Sequence, residues 1–157
     1  MIRLLYTVRM TSILHDLNIT PIKLDNSPKW VLFLNALVPA GFPSPAEDTC
    51  AKRIDLNAVL ISHPNATYLL RARGTSMVEA GIFDGDVLII DKAIKARHGH
   101  IVVAEVDGEF TVKTLFNRHG RTKLQAANVT FPDIQFKEGQ ELKVWGVVIH
   151  TIKSFKG

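Results

Sequence analysis

Cysteine is nearly absent from this chain of 157 residues, which contains Cys50 and no other. One thiol cannot form an internal disulfide bond or a zinc site that needs several cysteine ligands. A large excess of one charge is also lacking, since 19 Lys and Arg stand against 15 Asp and Glu, a formal net charge of +4. Residues 1–41 carry 4 of these basic and 2 of these acidic side chains. Neither part is polybasic, so charge alone does not indicate a nucleic-acid-binding protein.

A long apolar run is missing as well. The most apolar stretch, 30–38, has nine residues and is interrupted by Asn35. Crossing ~30 Å of hydrocarbon takes ~20 helical residues, so we expect no membrane span. A secretory signal cut after Ala40 stays open as an alternative, because Val38-Pro39-Ala40 resembles a small-residue cleavage site. Two acidic residues before the run argue against that alternative.

The hydrophobic content of 46% and the charged content of 22% are typical of one globular domain. Before this domain lies the segment Gly41-Phe42-Pro43-Ser44-Pro45. Its two prolines keep the backbone extended and accessible to a peptidase. We therefore predict three parts, which are an N-terminal arm at 1–40, a proline-rich linker at 41–52 and a folded domain at 53–157.

Short β-branched and apolar runs dominate that domain, and turn signals separate them. One short helix is predicted at 55–62, capped by Asp55 and ended by Pro64. No helical stretches lie between the later runs, which argues against a parallel α/β sheet. The sequence predicts a mainly β fold with a mostly antiparallel, partly open or barrel-like sheet. The predicted strands are 68–73, 87–90, 101–106, 109–116, 123–126 and 142–151.

One predicted hairpin has a definite register. A two-residue turn at Asp107-Gly108 places Val102 opposite Lys113, with no acidic residue facing the lysine. An amine that loses water there without gaining a charged partner has a lowered pKa. An edge-strand lysine that reaches solvent is the alternative, and it is the commoner arrangement.

Ser76 lies in Gly74-Thr75-Ser76-Met77, after a predicted strand, and two interpretations of it stay open on spacing alone. Ser76 and Glu79 have the capping-box spacing, which predicts a helix N-cap. A serine at such a turn can instead expose its hydroxyl as a nucleophile, with backbone N–H groups nearby to hold an oxyanion. Spacing by itself favours the cap.

Longer motifs resemble a known family. The run Gly-Thr-Ser-Met-Val-Glu-Ala-Gly-Ile-Phe-Asp-Gly-Asp-Val-Leu-Ile-Ile-Asp at 74–91 is similar to the signature of LexA-type serine–lysine self-cleaving peptidases, as are 98–104 and 106–113. The likeness extends over 41–153 and is strongest to the UmuD-like proteins of SOS mutagenesis. Residues 1–30 match much less clearly.

The resemblance implies a role for particular residues. Ser76 corresponds to the family's nucleophile and Lys113 to its general base, with the backbone amides of Thr75 and Ser76 as candidates for the oxyanion hole. The bond Ala40–Gly41 corresponds to the one that these proteins cut in themselves, although UmuD has cysteine before the glycine. No metal or cofactor is implied, and three histidines are then expected to be structural, namely His98, His100 and His150.

The resemblance also implies partners. We expect a cytoplasmic homodimer whose self-cleavage is stimulated by a RecA filament on single-stranded DNA. Its shortened product would then serve a UmuC-like error-prone translesion DNA polymerase.

Two other functions stay open. The chain could be a fragment of a LexA-like repressor, or a non-enzymatic exported β-domain. Weak DNA binding could come from a basic cluster between Glu109 and Asp133, although a solvated hairpin tip explains that cluster more simply, so no direct sequence-specific DNA binding is expected. The cluster consists of Lys113, Arg118, Arg121 and Lys123.

Overall fold

The computed structural model describes residues 27–34, 51–136, 140 and 142–155. The chain divides into two compact units, whose described parts lie within 27–64 and 65–155. The predicted boundary at residue 40 lies outside the described residues, and the boundary at residue 52 falls within the described part and stays a prediction.

The first unit contains a two-stranded antiparallel sheet and a short helix. Strand β1 (Trp30–Leu34), which falls within the predicted arm, pairs with β2 (Ala51–Asp55). Helix α1 (Leu56–Leu60) follows directly. The side chain of Asp55 accepts a hydrogen bond from the Asn57 N–H at 3.1 Å, which confirms the predicted cap.

The second unit is built on a seven-stranded antiparallel sheet in the order β3-β4-β9-β5-β6-β7-β8. The described strands do not close into a barrel, since β3 and β8 each pair with one neighbour. Two 3-10 turns accompany the sheet, at Pro64–Ala66 and Val78–Ala80. The strands are β3 (Thr67–Arg71), β4 (Val87–Asp91), β5 (Ile101–Val106), β6 (Glu109–Arg118), β7 (Arg121–Gln125), β8 (Ile134–Gln135) and β9 (Lys143–Ile152).

The mainly β, antiparallel prediction is confirmed, with all six predicted strands present. Strand β8 was not predicted, because its two residues are too few to show an alternating pattern. Buried clusters lie on both faces of the sheet. Successive residues of β5 contribute to different clusters, because their side chains point to opposite faces. Val102 belongs to one buried cluster with Leu115 and Leu124, whereas Val103 belongs to the other with Met77 and Leu88.

Candidate active site

The β5–β6 hairpin positions Lys113. Asp107 and Gly108 both have positive φ, 51° and 85°, as a two-residue type I′ turn requires. Val102 consequently pairs with Lys113, and the predicted register is confirmed. The side chain of Lys113 is buried, with the residue 7% exposed, so the alternative of an edge lysine that reaches solvent is wrong.

The amine of Lys113 has three oxygen neighbours. Its Nζ donates to Thr111 Oγ1 at 2.8 Å and to the Val112 carbonyl at 3.1 Å. The third neighbour, Ser76 Oγ, lies 2.9 Å away. The structure thus brings together two residues that are 37 positions apart in the sequence.

Burial lowers the pKa of Lys113, which confirms the predicted direction. Desolvation penalises the charged ammonium, and none of the hydrogen-bond acceptors described around Nζ is a carboxylate that would offset this penalty. A neutral amine suits the three neighbours well. It has two N–H groups for Thr111 and Val112, and one lone pair that can accept a hydrogen bond from the Ser76 hydroxyl.

Ser76 does not cap a helix, so the capping-box interpretation is wrong. The element after it is a 3-10 turn whose N-cap position is Met77, without a side-chain capping bond. The carboxylate of Glu79 accepts instead from the N–H of Val129 at 3.1 Å. The Ser76 hydroxyl is therefore available to Lys113.

The segment that bears Ser76 is held by the loop after β7. The Ala127 N–H donates to the Ser76 carbonyl at 2.9 Å, and the Ala127 carbonyl accepts from Glu79 N–H at 2.8 Å. The side-chain amide of Asn128 donates to the Thr75 carbonyl, also at 2.9 Å. Sequence analysis missed Asn128, which lies 53 positions from its partner and in no motif that we recognised.

Both carbonyls around Ser76 are thus occupied, whereas the N–H groups are not. Within the described part of the chain, the backbone N–H groups of Thr75 and Ser76 donate to no acceptor. Unpaired backbone donors beside an activated hydroxyl are the groups from which oxyanion holes are made.

A cavity of about 200 Å³ is lined in part by Ser76. Its walls are mainly apolar, and they also include Arg71, the last residue of β3, and Arg73. Such a combination suits an extended peptide, whose small apolar side chains would meet the walls. The apolar wall residues include Leu70, Ala72, Met77, Ile82, Leu88 and Val103.

Two of the three histidines predicted to be structural make local contacts. His98 Nδ1 accepts from the Asn117 N–H, and its ring packs edge-on against Phe116. His100 Nδ1 accepts from the Arg97 N–H. His150 lies on β9 and is exposed. In the described residues, no three His, Cys, Asp or Glu side chains are grouped as metal ligands.

The basic cluster considered for DNA binding is not a uniform exposed patch. Lys113 is buried, and Lys123 forms a 2.7 Å ion pair with Asp133. Arg118 and Arg121 pair with each other across the β6–β7 hairpin and are exposed. These contacts favour the solvated hairpin tip.

Two further predictions concern other parts of the chain. No helix among the described residues is long and apolar enough to cross a membrane. Ala40 and Gly41, the predicted cleavage site, lie outside the described residues.

Comparisons with known proteins identify relatives of this chain. ImpA of Salmonella typhimurium is 47% identical over 113 residues, which cover 72% of this chain and 77% of ImpA. MucA of Escherichia coli is 42% identical over 116 residues, or 73% of this chain and 79% of MucA. The LexA repressor of Dechloromonas aromatica is 41% identical over 117 residues, or 74% of this chain and 58% of the repressor.

A family model described as Peptidase S24-like matches residues 32–149. That span includes both Ser76 and Lys113, and the family resemblance inferred from the residue motifs is confirmed. Together with the relatives, the match shows that this chain belongs to the S24-like peptidase family.

Proposed function

We propose that this protein is a serine peptidase that cuts its own chain between Ala40 and Gly41, with Ser76 as nucleophile and Lys113 as general base. The observation that carries the proposal is the 2.9 Å contact between Lys113 Nζ and Ser76 Oγ at a buried position. A base must lie within hydrogen-bond reach of the proton that it removes, and this one does.

The first half of the reaction forms an acyl-enzyme. Neutral Lys113 takes the hydroxyl proton as Ser76 Oγ attacks the carbonyl carbon of Ala40, which yields a tetrahedral oxyanion. The oxyanion collapses, the bond to the Gly41 nitrogen breaks, and the Lys113 ammonium donates its proton to that nitrogen. The product with Gly41 at its N-terminus then leaves.

The second half restores the enzyme. Lys113, again neutral, takes a proton from a water molecule whose oxygen attacks the Ala40 acyl carbon. The ester bond to Ser76 Oγ breaks, and the proton returns from Lys113 to the serine. In both halves the backbone N–H groups of Thr75 and Ser76 would hold the developing oxyanion.

Burial of Lys113 favours this chemistry at a lower pH than an ordinary lysine would require. An ordinary lysine, with a pKa of about 10.4, is almost entirely charged at pH 7 and cannot accept a proton. Desolvation lowers the pKa of Lys113 and so raises the neutral fraction. A hydroxyl activated by such an amine needs no third side chain.

The family membership and the resemblance to UmuD-like proteins support a proposal for the biological role. We infer a cytoplasmic homodimer of the SOS response in which a RecA filament on single-stranded DNA favours the cleavable arrangement of the arm. The fragment that begins at Gly41 then acts as the accessory subunit of a UmuC-like error-prone translesion polymerase.

Mass spectrometry of the full chain tests the proposal. The wild-type protein, incubated with RecA filaments or alone at about pH 10, should yield two fragments that end at Ala40 and begin at Gly41. Ser76→Ala should stay intact under both conditions. Cleavage of Ser76→Ala at the same bond inside cells would indicate a separate peptidase, as the exported-domain alternative requires.

The similarity to a LexA repressor supports a second candidate function. A repressor would bind a specific DNA sequence directly, whereas the proposed polymerase subunit would reach DNA through its partners. A gel shift at physiological salt separates the two, since only sequence-specific retention by this chain would support the repressor.

A further inference from the structure

We propose that Asn128 is a positioning residue of this peptidase, which turns the backbone N–H of Ser76 toward the oxyanion of the reaction. The inference rests on the proposed function. The feature behind it is the hydrogen bond from the Asn128 side-chain amide to the Thr75 carbonyl, the peptide group immediately before the nucleophile.

The orientation of the Asn128 side chain is determined by its partners. Its Nδ2 donates to the Thr75 carbonyl at 2.9 Å, and its Oδ1 accepts from the Thr130 N–H at 3.0 Å and from Thr130 Oγ1 at 2.8 Å. A carbonyl can only accept and an N–H can only donate, so the opposite orientation would break both backbone contacts. The amide thus connects the loop to the nucleophile segment in one arrangement.

The Thr75 carbonyl and the Ser76 N–H belong to the same planar peptide group. In a trans peptide these two bonds point in opposite directions, and this peptide is trans. Asn128, by holding the carbonyl on the side of the loop, therefore directs the Ser76 N–H to the other side. That N–H donates to no described acceptor, so it is free for a reacting oxygen.

A second contact limits rotation on the far side of Ser76. The Ala127 N–H donates to the Ser76 carbonyl at 2.9 Å, so neighbouring loop residues hold both peptide groups that flank the Ser76 α-carbon. The Ala127 contact is made by backbone atoms, so substitutions at Asn128 leave its donor and acceptor in place. Of the two contacts, only the one from the Asn128 side chain can be removed by substituting a side chain.

Removing the Asn128 amide should slow the chemical step without changing the base. Loss of one oxyanion donor costs about 10²–10³ in rate in other serine peptidases, and a donor that is misaligned rather than deleted should cost about tenfold to a hundredfold. Lys113 keeps its three contacts, so the pH at which it becomes a competent base should not move.

Three full-length variants test the inference through the pH profile of self-cleavage. Asn128→Asp keeps the acceptor for Thr130 but replaces the donor with a carboxylate oxygen that repels the Thr75 carbonyl. Asn128→Ala removes donor and acceptor without adding charge. Thr130→Val is the matched control, because it removes a hydroxyl from Asn128 Oδ1 and leaves the contact with Thr75.

The expected result is a lowered plateau at high pH, about tenfold to a hundredfold, in both Asn128 variants. The midpoint of the profile should be unchanged in Asn128→Ala, and Thr130→Val should stay within about threefold of wild type. If circular dichroism shows that Asn128→Ala is unfolded, Asn128→Asp carries the test.

Three results would overturn the inference. These are a normal plateau in Asn128→Ala, an equal loss in Thr130→Val, or a displaced midpoint with an unchanged plateau. Failure of the proposed function looks different, since the wild-type protein would then not cut itself at all, or Ser76→Ala would be cut like wild type.

Discussion

Lys113 and Lys92 both lie in the unit that holds the large sheet, and burial lowers the pKa of each, but their surroundings differ. Lys113 on β6 meets two hydroxyl oxygens and one carbonyl. Lys92, just after β4, has its Nζ 4.7 Å from the ring centroid of Trp145 and 5.6 Å from that of Tyr68. Burial thus lowers the pKa of both amines, but the groups that surround the two amines differ.

The difference in neighbours distinguishes the proposed general base, Lys113, from Lys92. The contacts described for Lys92 Nζ are with aromatic faces, which attract the charged ammonium, and within the described residues this amine forms no hydrogen bond with a hydroxyl. The region around Lys113 favours the neutral amine and places a serine hydroxyl within hydrogen-bond distance of its Nζ. Burial alone therefore does not make a catalytic lysine, which also needs a partner whose proton it can take.

The largest effect expected from this comparison is the loss of self-cleavage on truncation of either dyad member. Ser76→Ala and Lys113→Ala should each lower the rate by about 10⁴-fold or more, because the nucleophile and base act as one unit. Lys92→Ala is the matched control and should cut at a rate within about threefold of wild type. Mass spectrometry of the fragment that begins at Gly41 measures all three, and loss of cleavage in Lys92→Ala would contradict the distinction between the two lysines.

The pH dependence of cleavage should follow Lys113 and not Lys92. Because burial lowers the pKa of Lys113, the cleavage rate should rise with pH around a midpoint below the ordinary lysine pKa of about 10.4. At higher pH the rate should level off. Lys113→Arg should be inactive at every pH, since a guanidinium does not lose its proton. Lys92→Ala should keep the wild-type midpoint, and a shift there would mean that the rate reports another group.

A smaller effect is expected at the second hydroxyl beside Lys113. Thr111→Val removes one acceptor of Nζ and keeps the shape of the side chain, so the amine loses part of what orients it toward Ser76. One hydrogen bond of about 1 kcal/mol corresponds to a rate about fivefold lower. The control is Thr114→Val on the same strand, and equal losses in both variants would assign the effect to the strand rather than to the hydroxyl.

The smallest effect concerns stability, and here the two lysines should behave alike. Because the pKa of the buried amine is lower in the folded state, burial of its charged form destabilises the protein. This penalty has its full size at pH values below the folded-state pKa. The penalty shrinks as pH rises and disappears above the unfolded value of about 10.4. Lys113→Met should therefore gain stability relative to wild type at pH 6, about 1.4 kcal/mol for each unit of lowering, and lose that advantage at about pH 11.

Urea denaturation at both pH values measures this gain. Lys92→Met should show the same sign. If both variants gain stability at pH 6 and only Lys113→Met loses cleavage, the effect of burial on stability is distinct from the effect on catalysis. Absence of the gain in both variants would remove the assignment to burial.

The position of Lys113 could be predicted from the sequence because its determinants are local. A two-residue turn at Asp107-Gly108 sets the pairing of every residue in the hairpin, and Val102 follows as its partner. The six longer strands could also be predicted, since each has its own run of β-branched and apolar residues and its own turn signals. The family motif then identified Ser76, which spacing alone had favoured as a helix cap.

The remainder of the site depends on contacts between distant segments. Nothing near Asn128 in the sequence indicates that its amide reaches Thr75, because the loop after β7 and the loop after β3 meet only in the folded sheet. The cap interpretation failed for a similar reason. Glu79, which a capping box would direct back to the Ser76 N–H, binds the N–H of Val129, 50 positions away.

The most direct test of the account is the titration of Lys113 itself. In the uncleavable Ser76→Ala chain with ¹⁵N-labelled lysine, NMR should show the Lys113 amine losing its proton well below the ordinary pKa of about 10.4. Its midpoint should match that of wild-type self-cleavage. An ordinary lysine titration at Lys113, with cleavage already complete at lower pH, would contradict the assignment of Lys113 as the base.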